Sequence, residues 1–191
     1  MMPSAPPVPE PGRPDRPIER PPEPRAEGPE RKVPSRASAY LALTKPGITG
    51  LILLMAVAGF FAGDPTYPAD WLRLAELLVA GALASAGAAA LNHWYDRDLD
   101  VLMRRTRFRP LPSDRLSARE VLSFGLGITA LGWGLAAWWL PLLSFLALAS
   151  GTLVYVGVYT IWLKRRTRWN IVIGGYAGSA PVLAGCAAAV G

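Results

Sequence analysis

Asn92, Asp96 and Asp100 follow one another at intervals of four residues. On an α-helix that spacing puts all three side chains on one face, drifting by about 40° per step. Oxygen donors in a row suit a hard divalent cation. Mg²⁺ in particular is held by one or two carboxylates together with substrate phosphates. Asp98 falls off this face, as a supporting or solvated carboxylate. The chain then turns basic in RRTRFRP, and a second basic stretch, KRRTR, covers 164–168. Arg105, Arg109, Lys164 and Arg165 could clamp phosphates, the arginines in two-pronged fashion. A plainer reading is a solvated helix end, with Asp96, Asp98 and Asp100 paired to Arg97, Arg104 and Arg105. Three features oppose it. Asn92 still lies in an apolar run, where a polar side chain needs a partner. The carboxylates gather at a helix C-terminus, where the dipole disfavours them. Arginines follow at once. Metal-binding carboxylates beside arginines at a membrane surface suit a lipid diphosphate; a soluble anion would hardly need the membrane.

The elements that must position these residues read as membrane helices. A spanning helix needs about 20 mostly apolar residues. Five segments qualify: 41–62, 71–91, 120–139, 142–163 and 170–190, with Pro141 between the third and fourth. None alternates as a strand would, and backbone in lipid must pair internally, so helices are expected. The Asn92–Asp100 face would continue the second span. Small residues in spans two and five (Gly81, Ala84, Ser85, Gly87 and Ala88; Gly174, Gly175, Gly178, Ser179 and Gly185) allow close helix packing. Trp71, Trp133, Trp138 and Trp139 fall near expected membrane interfaces. Arg73 and Glu76, near the start of span two, read as a snorkelling pair.

The pI of about 9.9 first suggests nucleic acid, yet the positions of the charges exclude it. Residues 93–119 hold seven arginines and 164–168 hold four positive residues, whereas 63–70 holds two aspartates and no Lys or Arg. Basic loops thus alternate with uncharged or acidic ones, as membrane topology dictates, and the N-terminus and basic loops are expected in the cytoplasm. Residues 1–37 carry 12 of the 19 prolines and no apolar run, so they read as a disordered Pro-rich cytoplasmic tail. They lack the apolar core of a secretory signal peptide. The single cysteine, Cys186, excludes an intrachain disulfide and a cysteine metal site.

The stretch NHWYDRDLDVLMRRTRFRPLP resembles the first aspartate-rich motif of the intramembrane prenyltransferases of the UbiA superfamily. Asn92, Asp96, Asp100, Met103, Arg105, Thr106, Arg109, Pro110 and Leu111 fit its pattern. Within that superfamily, YTIWLKRRTRWNIVIGGYAGSAPVLAG at 159–185 resembles the protohaem IX farnesyltransferases, or haem O synthases, with mild departures at Ser179 and Val182. The resemblance covers 38–191. It implies an all-α, multi-pass transmembrane bundle of nine helices, of which five lie in this sequence, so that 38–191 is the N-terminal part of the domain. It also implies a second aspartate-rich motif that these 191 residues do not contain.

The activity implied is transfer of a farnesyl group from farnesyl diphosphate to a vinyl group of haem B, giving haem O, in the cell (inner) membrane. Asn92, Asp96 and Asp100 would hold Mg²⁺ on the diphosphate. Arg105, Arg109, Lys164 and Arg165 would neutralise the leaving charge. Tyr155 and Tyr159, four residues apart on the fourth span, could line the prenyl or porphyrin cavity, with ordinary packing as the plainer reading. His93 does not match a fixed position of the motif and reads as an interfacial polar residue. The alternatives are a related transferase with a quinone-precursor acceptor, and a truncated membrane protein without turnover.

Overall fold

The computed structural model describes residues 35–64 and 70–191, and every regular element among them is helical. α1 covers Arg36–Leu43, α2 Pro46–Gly63, α3 Trp71–Tyr95, α4 Arg97–Leu102, α5 Ala118–Trp139, α6 Leu142–Leu153 and α7 Asn170–Val190; a π-helical segment, Val154–Leu163, continues α6. Five stretches are long and apolar enough to cross a membrane: Pro46–Gly63, Trp71–Tyr95, Ala118–Trp139, Leu142–Leu163 and Asn170–Val190. The tail expected over 1–37 falls outside the described residues up to position 34, and its end already belongs to α1.

The structure departs from simple continuous helices in three places, all of them near the polar end. The first span does not run through 41–62. A proline disfavours the α conformation in the residue before it. Lys45 accordingly sits in the left-handed region with φ 46°, and Pro46 opens α2 at its first position. The second departure is at Asp96, which caps α3 with φ −84° and ψ 0°. Helical spacing survives the cap, because Asp96 N–H donates to Asn92 C=O (3.0 Å) and Asp100 N–H to Asp96 C=O (2.9 Å). The third is the π-helical segment, where Lys164 N–H reaches back five residues to Tyr159 C=O (2.9 Å). Such stretches are rare and frequently mark functional sites.

α3 is the central helix. Half of its apolar window is buried inside the bundle, against 28% or less for the other four spans. It packs along α5 and also touches α2, α6, α7 and the π-helical segment, while α2 lies along α7. Close approach explains the small residues. A side chain at Gly87 would strike Thr129 of α5, and one at Gly185 would strike the backbone of Ala56 in α2. Gly175 and Gly178, also expected to allow packing, have open space around them. One apolar core (Ala56, Phe60, Leu77, Ala80, Ala136, Leu140, Ala184) fills the bundle away from the basic loops. A second (Ala39, Leu43, Ala90, Leu111, Leu116, Val121) ties α1 and the 103–117 loop to α3 and α5. α5 begins with a full capping box, Ser117 with Glu120, which fixes where that loop ends.

Candidate active site

The last turn of α3, the turn after Leu43, α4, the loop following it and the end of the π-helical segment meet at one end of the bundle. Three cations and three polar acceptors converge there. Lys45 Nζ donates to Asn92 Oδ1 (2.9 Å). Asn92 Nδ2 donates to Asp96 Oδ2 (3.0 Å) and to Thr160 Oγ1 (3.1 Å). Lys164 Nζ forms an ion pair with Asp96 Oδ2. Arg109 Nη1 donates to both oxygens of Asp100 (2.9 and 2.7 Å). Asn92, Asp96 and Asp100 are each at least 96% buried, while the Arg109 and Lys164 side chains keep 27% and 30% exposure, so the carboxylates are desolvated and their cations reach them from the cavity side. Thr106 is buried too, and its hydroxyl donates to the Asp100 carbonyl (3.1 Å), holding the loop against α4.

The pairing disposes of the solvated-end reading in its specific form. Asp96, Asp98 and Asp100 take Lys164, Arg165 and Arg109. Arg97 instead donates to the Trp94 carbonyl (2.8 Å) and lies over the Trp94 ring. Asp98 turns outward and is gripped by two nitrogens of Arg165 (2.9 and 2.8 Å), which also stacks on Tyr95. That hydrogen bonding holds the Asp98 carboxyl below its ordinary value of 3.8. Arg165 is therefore committed to Asp98, outside the central cluster. Arg105 is exposed, and its side chain makes no hydrogen bond or ion pair among the described residues. Of the four cations proposed from sequence, the structure brings Arg109 and Lys164 to the buried carboxylates.

The sequence reading missed Lys45. Its ammonium is buried enough that desolvation, followed by the charges of Arg109 and Lys164, lowers it from 10.5 to about 8; Asp96 and Asp100 oppose the shift. The available signal was the Lys-Pro pair, which marks a break in the backbone where an otherwise apolar span should begin. Thr160 was the other residue not assigned to the site; Tyr155, expected with Tyr159 as a candidate cavity residue, lines both cavities described below. Thr160 is fully buried against Asn92. Tyr155 stacks nearly parallel on Tyr159, with centroids 5.8 Å apart. His93, expected at the interface, is instead 97% buried, and neither ring nitrogen has a hydrogen-bond partner among the described residues.

Two cavities meet here. A polar one of about 260 Å³ is lined by Lys45, Asn92, Arg109, Tyr155, Tyr159, Lys164 and Gly174. An apolar one of about 350 Å³ runs between α2, α3, α6 and α7, among Leu51, Ala56, Leu77, Gly81, Gly178 and Ala184. Lys45, Tyr155 and Gly174 line both, so the cationic mouth opens onto the apolar cleft. Gly174 keeps the junction open, since a side chain there would meet the Tyr159 ring at 2.5 Å.

The donor set accommodates a hard cation. Asp96 Oδ1 is buried with no hydrogen-bond partner among the described residues, an arrangement that costs free energy unless something positive meets it. Among those residues no group of three or more His, Cys, Asp or Glu could hold a metal unaided. A cation here would share Asp96, Asp100 and the Asn92 amide oxygen with substrate oxygens, the manner in which Mg²⁺ is usually bound.

The fold and site thus define a helical membrane bundle with a cation-lined polar mouth backed by buried carboxylates. Residues 52–191 match the model of the UbiA prenyltransferase family, and the chain belongs to that family. It is 46% identical over 159 residues to protoheme IX farnesyltransferase 1 of Cenarchaeum symbiosum, covering 81% of this chain and 54% of the relative. It is 48% identical over 155 residues to the protoheme IX farnesyltransferase of Symbiobacterium thermophilum, covering 80% and 50%. The chain thus spans about half the length of the curated relatives it matches. Among solved structures it resembles a UbiA homolog from Archaeoglobus fulgidus bound to DMAPP and Mg²⁺, with a TM-score of 0.69 at 24% identity, covering 80% of this chain and 55% of that one. The same homolog bound to GPP and Mg²⁺ gives a TM-score of 0.69 at 24% identity, over 80% and 54%. Five helices long and apolar enough to span, in a chain of this family, make this a multi-pass membrane protein.

Proposed function

We propose that this end of the bundle binds a prenyl diphosphate with Mg²⁺, and that the protein to which this sequence belongs transfers farnesyl from farnesyl diphosphate to a vinyl group of haem B. The observation that carries the reading is the junction at Lys45, Tyr155 and Gly174 between a cation-lined cavity and an apolar cleft. A diphosphate on a long hydrocarbon chain has that same division of character. The named relatives supply the acceptor and the chain length.

In this mechanism Asn92, Asp96 and Asp100 are the residues that would hold the cation. Mg²⁺, when bound, supplies positive charge that stabilises the leaving group as the allylic C–O bond breaks. Lys45, Arg109 and Lys164 add fixed positive charge where negative charge grows. Their present partners, the oxygens of Asn92, Asp100 and Asp96, pre-position them at the cavity wall. The apolar cleft would hold the prenyl tail and keep water from the allylic cation until the vinyl carbon attacks; water then adds to the cation left on the former vinyl group and loses a proton, giving the hydroxyl of the product. Tyr155 lines both cavities at their junction, and Tyr159, stacked on it, lines the polar one. Positive-inside asymmetry supports placing this end on the cytoplasmic side of the cell membrane, with the N-terminus there.

Membranes containing the protein, incubated with farnesyl diphosphate, Mg²⁺ and haem B, should form haem O, detected by chromatography. Prenylation of a quinone precursor in its place would overturn the acceptor. No transfer to either acceptor would favour a membrane protein without turnover.

A further inference from the structure

Asn92 can present its amide in two rotations, and only one serves a cation. With the oxygen toward the cavity, Oδ1 can meet a positive charge; turned over, the NH₂ group would repel it. Three partners set the rotation. Lys45 donates to Oδ1 at 2.9 Å, while Nδ2 donates to Asp96 Oδ2 at 3.0 Å and to Thr160 Oγ1 at 3.1 Å. Two of the three belong to the binding machinery. Lys45 lines the polar cavity, and Asp96 keeps one buried oxygen without a partner among the described residues. Both are drawn toward a bound diphosphate and cation, so both hold the amide least firmly when its orientation matters most.

Thr160 is different. It is fully buried, lines neither cavity, and has its own proton committed: Oγ1 donates to Tyr155 C=O at 2.8 Å. A hydroxyl that has given away its only proton can act toward Asn92 as an acceptor alone. It therefore fits an N–H and rejects the amide oxygen. The π-helical segment makes this possible. In an α-helix a threonine hydroxyl bonds the carbonyl three or four residues back. Here the wider turn lets it reach five residues back, leaving a lone pair facing α3.

We propose that Thr160 is a positioning residue: its buried hydroxyl, polarised by the Tyr155 carbonyl, fixes the Asn92 amide with Oδ1 toward the cavity. This rests on the prenyl diphosphate reading of the site. Partners that orient a metal ligand typically change metal affinity about 10–100-fold when lost.

The test uses the full 191-residue chain in lipid nanodiscs, with farnesyl thiodiphosphate as a non-reacting probe. Thr160→Val keeps the shape and removes the hydroxyl; Thr160→Ser keeps the hydroxyl. The Mg²⁺ concentration for half-maximal probe binding should rise about tenfold or more in Thr160→Val and return to near the parent value in Thr160→Ser. The sequence has two asparagines, Asn92 and Asn170. ¹⁵N-asparagine labelling therefore gives two side-chain NH₂ signals, and the buried one reports on Asn92 directly. Its hydrogen exchange should be slow in the parent and in Thr160→Ser, and fast in Thr160→Val. Should Thr160→Val fail to assemble, the parent decides. With probe and Mg²⁺ bound, one Asn92 amide proton should stay protected, and loss of protection at both would overturn the proposal. Equal Mg²⁺ dependence in the parent and Thr160→Val would overturn it too, leaving the site reading intact. A parent chain that binds no probe would instead remove the site reading on which the proposal stands.

Discussion

The two ends of α3 both carry charge, and they use it in opposite ways. Near the start, Arg73 and Glu76 sit three residues apart with a 3.8 Å contact and partly exposed side chains. The pair is local, and Asp70 beside it merely caps the helix, accepting from the Arg73 N–H at 2.9 Å. At the other end, Asn92 and Asp96 are buried, and their partners come from positions 47 and 68 residues away in sequence. Local pairs on a helix surface contribute about 0.2–0.5 kcal/mol and need no fold to form. Buried charges gathered from three chain segments exist only because the fold holds them, at a desolvation cost that a purely structural role would avoid. The difference separates a local surface pair from the buried network that we propose binds a prenyl diphosphate.

Substitutions can break that contrast in a graded way. The largest effect is expected at Asp96→Ala, which removes the carboxylate with the unpaired oxygen and leaves Lys164 without its buried partner. Mg²⁺-dependent binding of farnesyl thiodiphosphate should be lost, while the chain still fractionates with membranes. Next comes Lys164→Met, which strands the Asp96 charge and should cost about 3–5 kcal/mol of stability, read from thermal unfolding in detergent. Arg109→Lys gives up the two-oxygen grip on Asp100, and prenyl diphosphate affinity should fall about tenfold, measured by calorimetry. Gly185→Leu attacks packing instead. It forces α2 and α7 apart and should destabilise by about 1–3 kcal/mol, with the folded fraction still binding the probe. The smallest effect belongs to Arg73→Gln and Glu76→Gln: stability should shift by about 0.5 kcal/mol or less and binding should not change.

Much of this was legible in the sequence, and the limits are physical. The spans could be read because lipid demands uninterrupted apolar helices, and their bounds differ from those observed by a few residues. The exception was the first, since its break at Lys45 follows from steric conflict with Pro46 and not from hydrophobicity. The carboxylate face of Asn92, Asp96 and Asp100 could be read because four-residue spacing is a property of one helix. Which cation meets which carboxylate could not be, because that depends on how separate segments pack. Arg165 was expected among the phosphate-binding cations, yet the structure gives it to Asp98, the one carboxylate pointing outward. Thr160 was invisible for a subtler reason. Its role depends on a five-residue backbone register in the π-helical segment, and composition does not reveal that register.

The central claim is that the cationic mouth and the apolar cleft form one prenyl diphosphate site. The most direct measurement is photo-crosslinking of the chain, in nanodiscs with Mg²⁺, by a farnesyl diphosphate carrying a diazirine on its tail. The account predicts labelling of cleft residues on α2 and α7, around Leu51–Ala56 and Gly178–Ala184, abolished by excess inorganic diphosphate. Labelling confined to exposed lipid-facing residues such as Ile171 and Val172, or unaffected by diphosphate, would contradict it.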